Sequence, residues 1–183
     1  ILKEIFLQKD SSKTAKLLSK NLTQHYVKEL WHLYFHEVCV AGEYALLEKK
    51  IERYKYHSDR HISTELVDIL SKCVEVSNYY QTFDDWIIVP IPMHWTRYLL
   101  RWFNHTQRMA KQFSFKQGCT SISLLWTHWT RRQSKLSRVS RMKNKKNSFF
   151  LKNRYTIPSH IILIDDVVSS WSTLNEAAKV LVQ

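Results

Sequence analysis

The stretch from His160 to Glu176, with the sequence HIILIDDVVSSWSTLNE, decides the fold. Its apolar residues, Ile161 to Ile164, form a continuous run, as in a strand that is buried on both faces of a parallel sheet. Two carboxylates, Asp165 and Asp166, follow at the carboxyl end of that strand, which is the edge where open α/β sheets bind ligands. The stretch therefore predicts an α/β protein with a ligand site at this end of the strand.

Hydroxyl side chains and the start of a helix follow the two carboxylates. Thr173 and Glu176 have the spacing of a capping box, so we predict that a helix begins at about Thr173. The N-terminus of a helix attracts phosphate, because its free N–H groups and its dipole carry positive charge. The carboxylates in front of it are suited to accept hydrogen bonds from two ribose hydroxyls. Together these groups predict a site for ribose 5-phosphate.

The rest of the chain alternates between helical and strand patterns. Apolar residues recur at helical spacing in residues 18–33, 44–54 and 62–73. We predict further strands at 87–89, 121–125 and 149–151, a helix through 103–113, and a basic loop at 126–147. Strands that alternate with helices favour a mostly parallel sheet flanked by helices. We therefore predict a helical N-terminal lead-in over residues 1–40 and one α/β domain over residues 41–183, which stops within a helical pattern.

The positive charge of the chain is concentrated in its middle. The formal net charge is +12, and residues 86–164 hold 15 Lys and Arg and no carboxylate. Residues 1–85, in contrast, hold 12 basic and 13 acidic residues. Such a region favours binding to an anion, either a polyphosphate ligand or a nucleic acid. A basic loop without any ligand is the plain alternative.

The cysteines and the hydropathy predict the compartment. Cys39, Cys73 and Cys119 are far apart and have neither the spacing of a zinc site nor that of a disulfide framework. Reduced cysteines and the absence of a signal peptide at the start predict a cytoplasmic protein. No apolar run reaches the roughly 18 residues that a bilayer span needs, so we expect a soluble protein.

The acidic stretch resembles the phosphoribosyl diphosphate (PRPP) signature of type I phosphoribosyltransferases. In that signature, four hydrophobic residues, two acids and two hydrophobic residues precede a hydroxyl-rich loop with one glycine. Other segments resemble the ComF family of phosphoribosyltransferase-like proteins associated with DNA uptake, which has the motif RGFNQ. These segments are IERYKY at 51–56, VPIPMH at 89–94 with Arg97, RWFNHTQ at 101–107, TRRQSKLSR at 130–138 and RMKN at 141–144. The motifs stand in the family's order over about residues 41–183.

The resemblance implies a type I phosphoribosyltransferase fold that binds PRPP with Mg²⁺ and transfers its phosphoribosyl group to an unidentified acceptor. Whether the chain is an active enzyme stays open. Asp165 and Asp166 would hold the ribose hydroxyls, directly or through Mg²⁺, and are the candidate catalytic and metal-binding residues. The candidate contacts of the 5-phosphate are Val167, Val168, Ser169, Ser170, Trp171, Ser172 and Thr173. The candidate contacts of the pyrophosphate, under the basic loop, are Arg97, Arg101, Arg131, Arg132 and Lys135.

Other interpretations remain open. The chain could be a non-catalytic DNA-uptake protein that binds single-stranded DNA through its basic central segment. Its interleaved aromatic side chains would then stack on the bases; they are Trp126, Trp129, Phe149 and Phe150. Single motifs also have plain explanations, because Pro90 and Pro92 end a strand, and Lys55 and Tyr56 fit packing as well as function.

The sequence departs from the ComF pattern in two ways. The family usually begins with a four-cysteine zinc module, which is absent here, and we expect that the sequence begins after it. Trp102 and Trp171 stand where the family has glycine, and the chain has 2 glycines and 7 tryptophans. We hypothesise that these two tryptophans are UGA codons that the source organism reads as glycine. The rival interpretation is a degenerate member in which Trp171 blocks the phosphate; either way, the chain as written should bind PRPP poorly.

Overall fold

The computed structural model describes residues 3–8, 34–35, 37–40, 44–57, 59–75, 86–93, 98–99, 102–127, 148–152, 156–167 and 172–182. The elements are, in chain order, β1 (Lys3–Gln8), β2 (Glu37–Val40), α1 (Tyr44–His57), α2 (Arg60–Glu75), β3 (Trp86–Pro90), α3 (His105–Gln117), β4 (Thr120–Ser121), β5 (Leu125–Thr127), β6 (Phe149–Leu151), β7 (His160–Asp165) and α4 (Ser172–Val182). They combine strands and helices along the chain as the sequence predicted.

Five strands form the main sheet, in the order β2–β1–β7–β3–β4. Its centre is parallel: Trp86 of β3 lies opposite His160 of β7, and Ile87 lies opposite Thr120 of β4. β1 runs antiparallel to both β7 and β2. The predicted α/β class is confirmed, and the three parallel strands agree with a fold of the phosphoribosyltransferase type.

β7 occupies the middle of the sheet because its side chains are apolar on both faces. Ile162 and Ile164 are fully buried in a core that α1, α2 and α3 cover. Ile161 and Leu163 are buried in a second core on the opposite face, together with α4. Each such side chain contributes roughly 1.5–3 kcal/mol when it is fully removed from water. The continuous apolar run that predicted a doubly covered strand is therefore confirmed.

The two helices that follow β3 and β7 pack on opposite faces of the sheet. α3 buries Met109 and Phe113 in the first core. α4 buries Leu174 and Leu181 in the second core. Among the helices that the structure describes, none combines the length and the apolar character that a membrane crossing requires.

A second, two-stranded sheet is formed by β5 and β6. They are antiparallel, with Leu125 opposite Leu151. The strand predicted at 149–151 is confirmed, but it pairs here and not in the main sheet. The strand predicted at 121–125 is divided between β4 and β5, because the chain passes from one sheet to the other over residues 122–124. A short apolar run does not specify which neighbour it will pair with.

The helical interpretation of residues 1–40 did not include β1 and β2. Both strands depend on pairing: β1 pairs with β7 along its whole length, from Lys3 opposite Asp165 to Gln8 opposite His160. Strand formation reflects such partners more than a local preference, so the sequence of β1 carries little signal. The helical repeat in residues 18–33, on which the prediction rested, lies outside the described residues.

Candidate functional site

The carboxyl ends of β3 and β7 lie side by side at one edge of the sheet. Pro90 is opposite Ile164, and the N–H of Ile91 donates to the carbonyl of Ile164 at 2.9 Å. Because α3 and α4 lie on opposite faces, the chain leaves these two neighbouring strands in opposite directions. A crevice at such a switch point is where open α/β sheets bind their ligands. This edge is therefore the candidate site.

Asp165 and Asp166 differ in burial at the end of β7. Asp165 is the last residue of the strand and is half-buried. Asp166 continues the row of Ile164, on the side of α1 and α3, and is buried. The two carboxylates therefore have different surroundings although they are adjacent in the sequence.

Two basic side chains contact the same oxygen of Asp166. Nζ of Lys55 lies 2.6 Å from Oδ2, and Nε2 of His105 lies 2.8 Å from it. The exposed fractions of the Lys55, His105 and Asp166 side chains are 16%, 5% and 10%. Lys55 belongs to the last turn of α1, and His105 is the first residue of α3. The buried cluster thus joins β7 to two helices.

Backbone N–H groups at the end of β7 bind one oxygen of each carboxylate. The N–H of Asp166 donates to Oδ1 of Asp165 at 2.9 Å. The N–H of Val167 donates to Oδ1 of Asp166 at 2.7 Å. Both oxygens of Asp166 are therefore occupied by groups of the protein itself.

The two aspartates titrate in opposite directions. Burial by itself would raise the pKa of Asp166, but His105 and the Lys55 ammonium hold that pKa well below its usual range. Burial and the neighbouring Asp166 carboxylate raise the pKa of Asp165 well above its usual range. Opposite shifts on neighbouring acids are typical of functional sites, where each group has its own task.

The start of α3 places His105 by local hydrogen bonds. Asn104 is the N-cap, with φ −92° and ψ 101°, and its side chain accepts a hydrogen bond from the N–H of Gln107 at 3.0 Å. Such a cap fixes the first turn of a helix. The buried hydroxyl of Tyr54 donates to the carbonyl of His105 at 2.7 Å, and burial raises the pKa of Tyr54 to about 12. The donor therefore stays protonated at ordinary pH.

Aromatic rings pack around this corner of α3. The ring of Phe103 lies edge-on to the rings of Tyr54 and His105, with centroid distances of 5.9 and 6.4 Å. The guanidinium of Arg108 lies 4.3 Å from the centroid of Phe103. Contacts of both kinds stabilise their rings in defined orientations. The His105 imidazole is thus held by packing as well as by its ion pair.

Trp102, one residue before this corner, has a left-handed backbone. Its φ is 60°, and it is the one non-glycine residue with positive φ in the part of the chain that the structure describes. Its side chain is 88% exposed, so no packing compensates for the conformation. Positive φ favours glycine. The finding agrees with the glycine of the ComF motif at this position and with the codon hypothesis.

The helix at the predicted phosphate site begins slightly earlier than the capping box indicated. α4 begins at Ser172, which is buried, so Thr173 lies within the first turn instead of preceding it. Val168, Ser169, Ser170 and Trp171 lie outside the described residues. Their phosphate contacts, and those of Val167, Ser172 and Thr173, stay predictions.

The five basic residues predicted to contact pyrophosphate also lie outside the described residues; they are Arg97, Arg101, Arg131, Arg132 and Lys135. The residues that the structure does bring together are Lys55, His105 and Asp166. Packing and function were left open for Lys55, and His105 was not selected at all. Both lie in ComF-like segments, so membership of a motif was the available signal.

The described residues do not fit a Mg²⁺ ion at Asp166. Its Oδ2 is in contact with the Lys55 ammonium, which would repel the ion, and with His105, and its Oδ1 accepts a backbone N–H. Within the described ranges, no three side chains of the types His, Cys, Asp and Glu cluster closely enough to hold a metal. Asp165 fits better, because Mg²⁺ is commonly bound by one carboxylate, waters and the phosphates of its substrate.

Two curated proteins are similar to the chain. The competence protein ComFC of Streptococcus pneumoniae (strain ATCC BAA-255 / R6) is 30% identical over 135 residues, which cover 70% of this chain and 54% of the relative. The competence protein F of Haemophilus influenzae (strain ATCC 51907 / DSM 11121 / KW20 / Rd) is 28% identical over 152 residues, which cover 79% and 66%. These two relatives support assignment of the chain to the ComF family. The chain spans about half the length of the first ComF relative.

No protein-family model and no solved structure matches the chain. The ComF assignment relates the residues of the buried cluster to the motifs of the family. Lys55, His105 and Asp166 come from three different ComF-like segments, and at the position of His105 the ComF motif has glutamine. Segments that are separate in the sequence of this chain therefore meet at the end of β7.

Proposed function

We propose that this ComF-family chain binds PRPP with Mg²⁺ in the crevice between the carboxyl ends of β3 and β7, and that it acts in DNA uptake. The observation that supports the ligand is the half-buried Asp165 carboxylate at the switch point of the sheet, close in sequence to the N-terminus of α4. The printed names of both relatives, which are competence proteins, support the link to DNA uptake.

The residues of the crevice suit the parts of such a ligand. The Asp165 carboxylate accepts hydrogen bonds from ribose hydroxyls. The backbone N–H groups of the first turn of α4 receive the 5-phosphate, and the Thr173 hydroxyl adds a donor. The basic segment that includes Arg131, Arg132 and Lys135 covers the pyrophosphate, whose charge its guanidinium and ammonium groups neutralise.

Transfer of the phosphoribosyl group breaks the bond between C1 of the ribose and the pyrophosphate oxygen, which keeps the electron pair. A new bond then joins C1 to the nucleophile of the acceptor. Mg²⁺, when bound, supplies charge neutralisation on the pyrophosphate. The protein contributes positioning of the ribose and stabilisation of the charge that develops.

Calorimetric titration with PRPP and Mg²⁺ tests the proposal. We would compare the full chain with a variant that carries Trp102→Gly and Trp171→Gly. The double variant should bind PRPP, and the unchanged chain should bind it at least about tenfold more weakly, because a bulky side chain keeps the backbone away from the phosphate. Adding Asp165→Asn to the double variant serves as the site control and should weaken binding. Absence of heat with every folded variant would contradict the proposal.

A second candidate function is binding of single-stranded DNA, which one observation favours. The rings of Trp126 and Phe150 lie 5.0 Å apart at 39°, and Trp126 is 42% exposed. They belong to β5 and β6, which flank residues 128–147 with 8 Lys and Arg and no carboxylate. Aromatic rings beside a basic segment suit stacking on bases. Phe149 does not belong to this surface, because it is buried in the core, and Trp129 lies outside the described residues.

Fluorescence anisotropy with a labelled oligonucleotide tests this candidate. Trp126→Ala should weaken binding by about 5- to 150-fold, which corresponds to the loss of one stacked base. Phe115→Ala is the matched control, since Phe115 is 91% exposed on α3 and should have no effect. Affinity should also fall steeply with salt. Equal effects of the two substitutions would exclude the Trp126–Phe150 surface.

A further inference from the structure

We propose that the two adjacent aspartates have different tasks: Lys55 and His105 hold Asp166 inside the protein as an anchor for α1 and α3, and Asp165 alone meets the ribose. The part that concerns Asp165 rests on the proposed function; the part that concerns Asp166 does not. This division differs from the ComF resemblance, which implies that both carboxylates contact the ribose.

The occupation of Asp166 is the first argument. Oδ2 lies 2.6 Å from Nζ of Lys55 and 2.8 Å from Nε2 of His105, and Oδ1 accepts the N–H of Val167 at 2.7 Å. A ribose hydroxyl would have to replace a charged partner in a buried place. Breaking one side of a buried ion pair leaves the other charge without compensation, which is strongly unfavourable. Binding of a neutral hydroxyl does not offset that loss.

The exposure of the two carboxylates is the second argument. Asp166 is buried against Lys55 of α1 and His105 of α3. Asp165 is half-buried, at the carboxyl end of β7. A ligand at this edge of the sheet therefore reaches Asp165 more readily than Asp166.

Lys55 and His105 are positioning residues in this arrangement. In this proposal they do not contact the ligand. They fix the position of Asp166 and thereby the end of β7. Tyr54, next to Lys55, donates to the carbonyl of His105, so α1 contacts both the side chain and the backbone of the cluster. Displacement of this corner would move the start of the phosphate loop, and thereby lower ligand affinity indirectly.

Thermal unfolding of the full chain tests the anchor without any ligand. Asp166→Asn should lower the midpoint by roughly 6–20 °C, and Asp165→Asn should leave it unchanged or raise it. Combining Lys55→Met with Asp166→Asn should cost less than the sum of the two single changes, because the charge left unpaired by each is removed by the other. Equal midpoints for Asp165→Asn and Asp166→Asn, or simple additivity in the pair, would overturn the anchor.

Two substitutions of His105 separate positioning from packing. His105→Gln introduces the residue of the ComF motif and keeps a hydrogen-bond donor for Asp166, whereas His105→Leu fills the space without one. We expect Gln to preserve both the midpoint and PRPP affinity and Leu to lower both. If Leu preserves them as well as Gln does, His105 only fills space and the positioning role is wrong.

PRPP titration of the variant with Trp102→Gly and Trp171→Gly tests the part of the proposal that concerns Asp165. Asp165→Asn should reduce affinity by about 10- to 100-fold, and Asp166→Asn, measured where it is folded, by less than about tenfold, because it acts only through displacement of the corner. The reverse order would overturn the proposal. If no variant binds PRPP, the contact between Asp165 and the ribose fails together with the proposed function. The thermal unfolding experiment still tests whether Asp166 anchors α1 and α3. Should Asp166→Asn not fold, Lys55→Met provides the same comparison.

Discussion

The ammonium of Lys55 lies 2.6 Å from the carboxylate of Asp166 and joins the last turn of α1 to the end of the central strand. Asp166 also forms an ion pair with His105, at the start of α3. Two helices and the strand therefore share one buried cluster at the edge of the candidate site. The consequences of this cluster, and of the unusual backbone at Trp102, can be measured.

Removal of the Lys55 ammonium should destabilise the fold. We expect Lys55→Met to lower the free energy of unfolding by about 3 kcal/mol, because Asp166 stays buried with one cationic partner fewer. Lys50→Met is the matched control: Lys50 lies on the same helix and pairs with Glu65 at 2.5 Å, but both side chains are about half exposed. Its loss should cost at most about 1 kcal/mol. Urea unfolding measures both, and similar losses would contradict a special role for Lys55.

The stability of the chain should depend on pH through both aspartates, with opposite signs. Against the effect of burial, His105 and Lys55 lower the pKa of Asp166 in the folded state, so its contribution is complete above the ordinary value of 3.8 and is lost as the pH falls below it. The pKa of Asp165 is raised by burial and by Asp166, so its ionisation costs free energy as the pH rises from 3.8 through the folded value.

Unfolding free energies at a series of pH values test these signs. Asp166→Asn should remove the part of the stability that disappears in acid, and the variant should be less stable than the parent at neutral pH. Asp165→Asn should remove the loss that develops above pH 3.8, and the variant should be at least as stable as the parent at neutral pH. Parallel pH profiles for the two variants would show that the aspartates are equivalent.

Glycine at position 102 should stabilise the fold. With φ at 60° and the side chain 88% exposed, Trp102 has backbone strain and little burial, so Trp102→Gly should add about 1 kcal/mol to the free energy of unfolding. Trp126→Gly, within β5, is the control and should be destabilising by about 1 kcal/mol. The codons provide an independent check: UGG at both 102 and 171 would exclude the codon hypothesis.

Replacement of Gly118 should destabilise the fold, in contrast to Trp102→Gly. It ends α3 with φ at 71°, and its N–H points to the carbonyls of Phe115 and Ser114. A Cβ built at this position meets no atom within 4 Å, so space is not limiting. Gly118→Ala should therefore cost about 1 kcal/mol through the backbone alone. Chemical denaturation measures the loss, and an unchanged stability would show that the left-handed conformation is not maintained in solution.

Much of the central fold could be predicted from the sequence. The apolar run of β7, the β-branched run of β3 stopped by Pro90, and the helical face of α3 each have a local signal. The ComF-like segments predicted the family, which two curated relatives support. β1 could not be predicted in the same way, because its partner is a strand far away in the sequence.

The sequence by itself determined that Asp165 and Asp166 end a buried strand and precede a helix, since hydrophobic pattern and capping preferences act between near neighbours. It also determined the excess of tryptophan where the family has glycine. Only the tertiary structure decided that Asp166 is buried against Lys55 and His105 while Asp165 is half-buried beside it. Electrostatic pairing depends on distance in space, and the distance between residues of different elements is set by how the helices pack on the sheet.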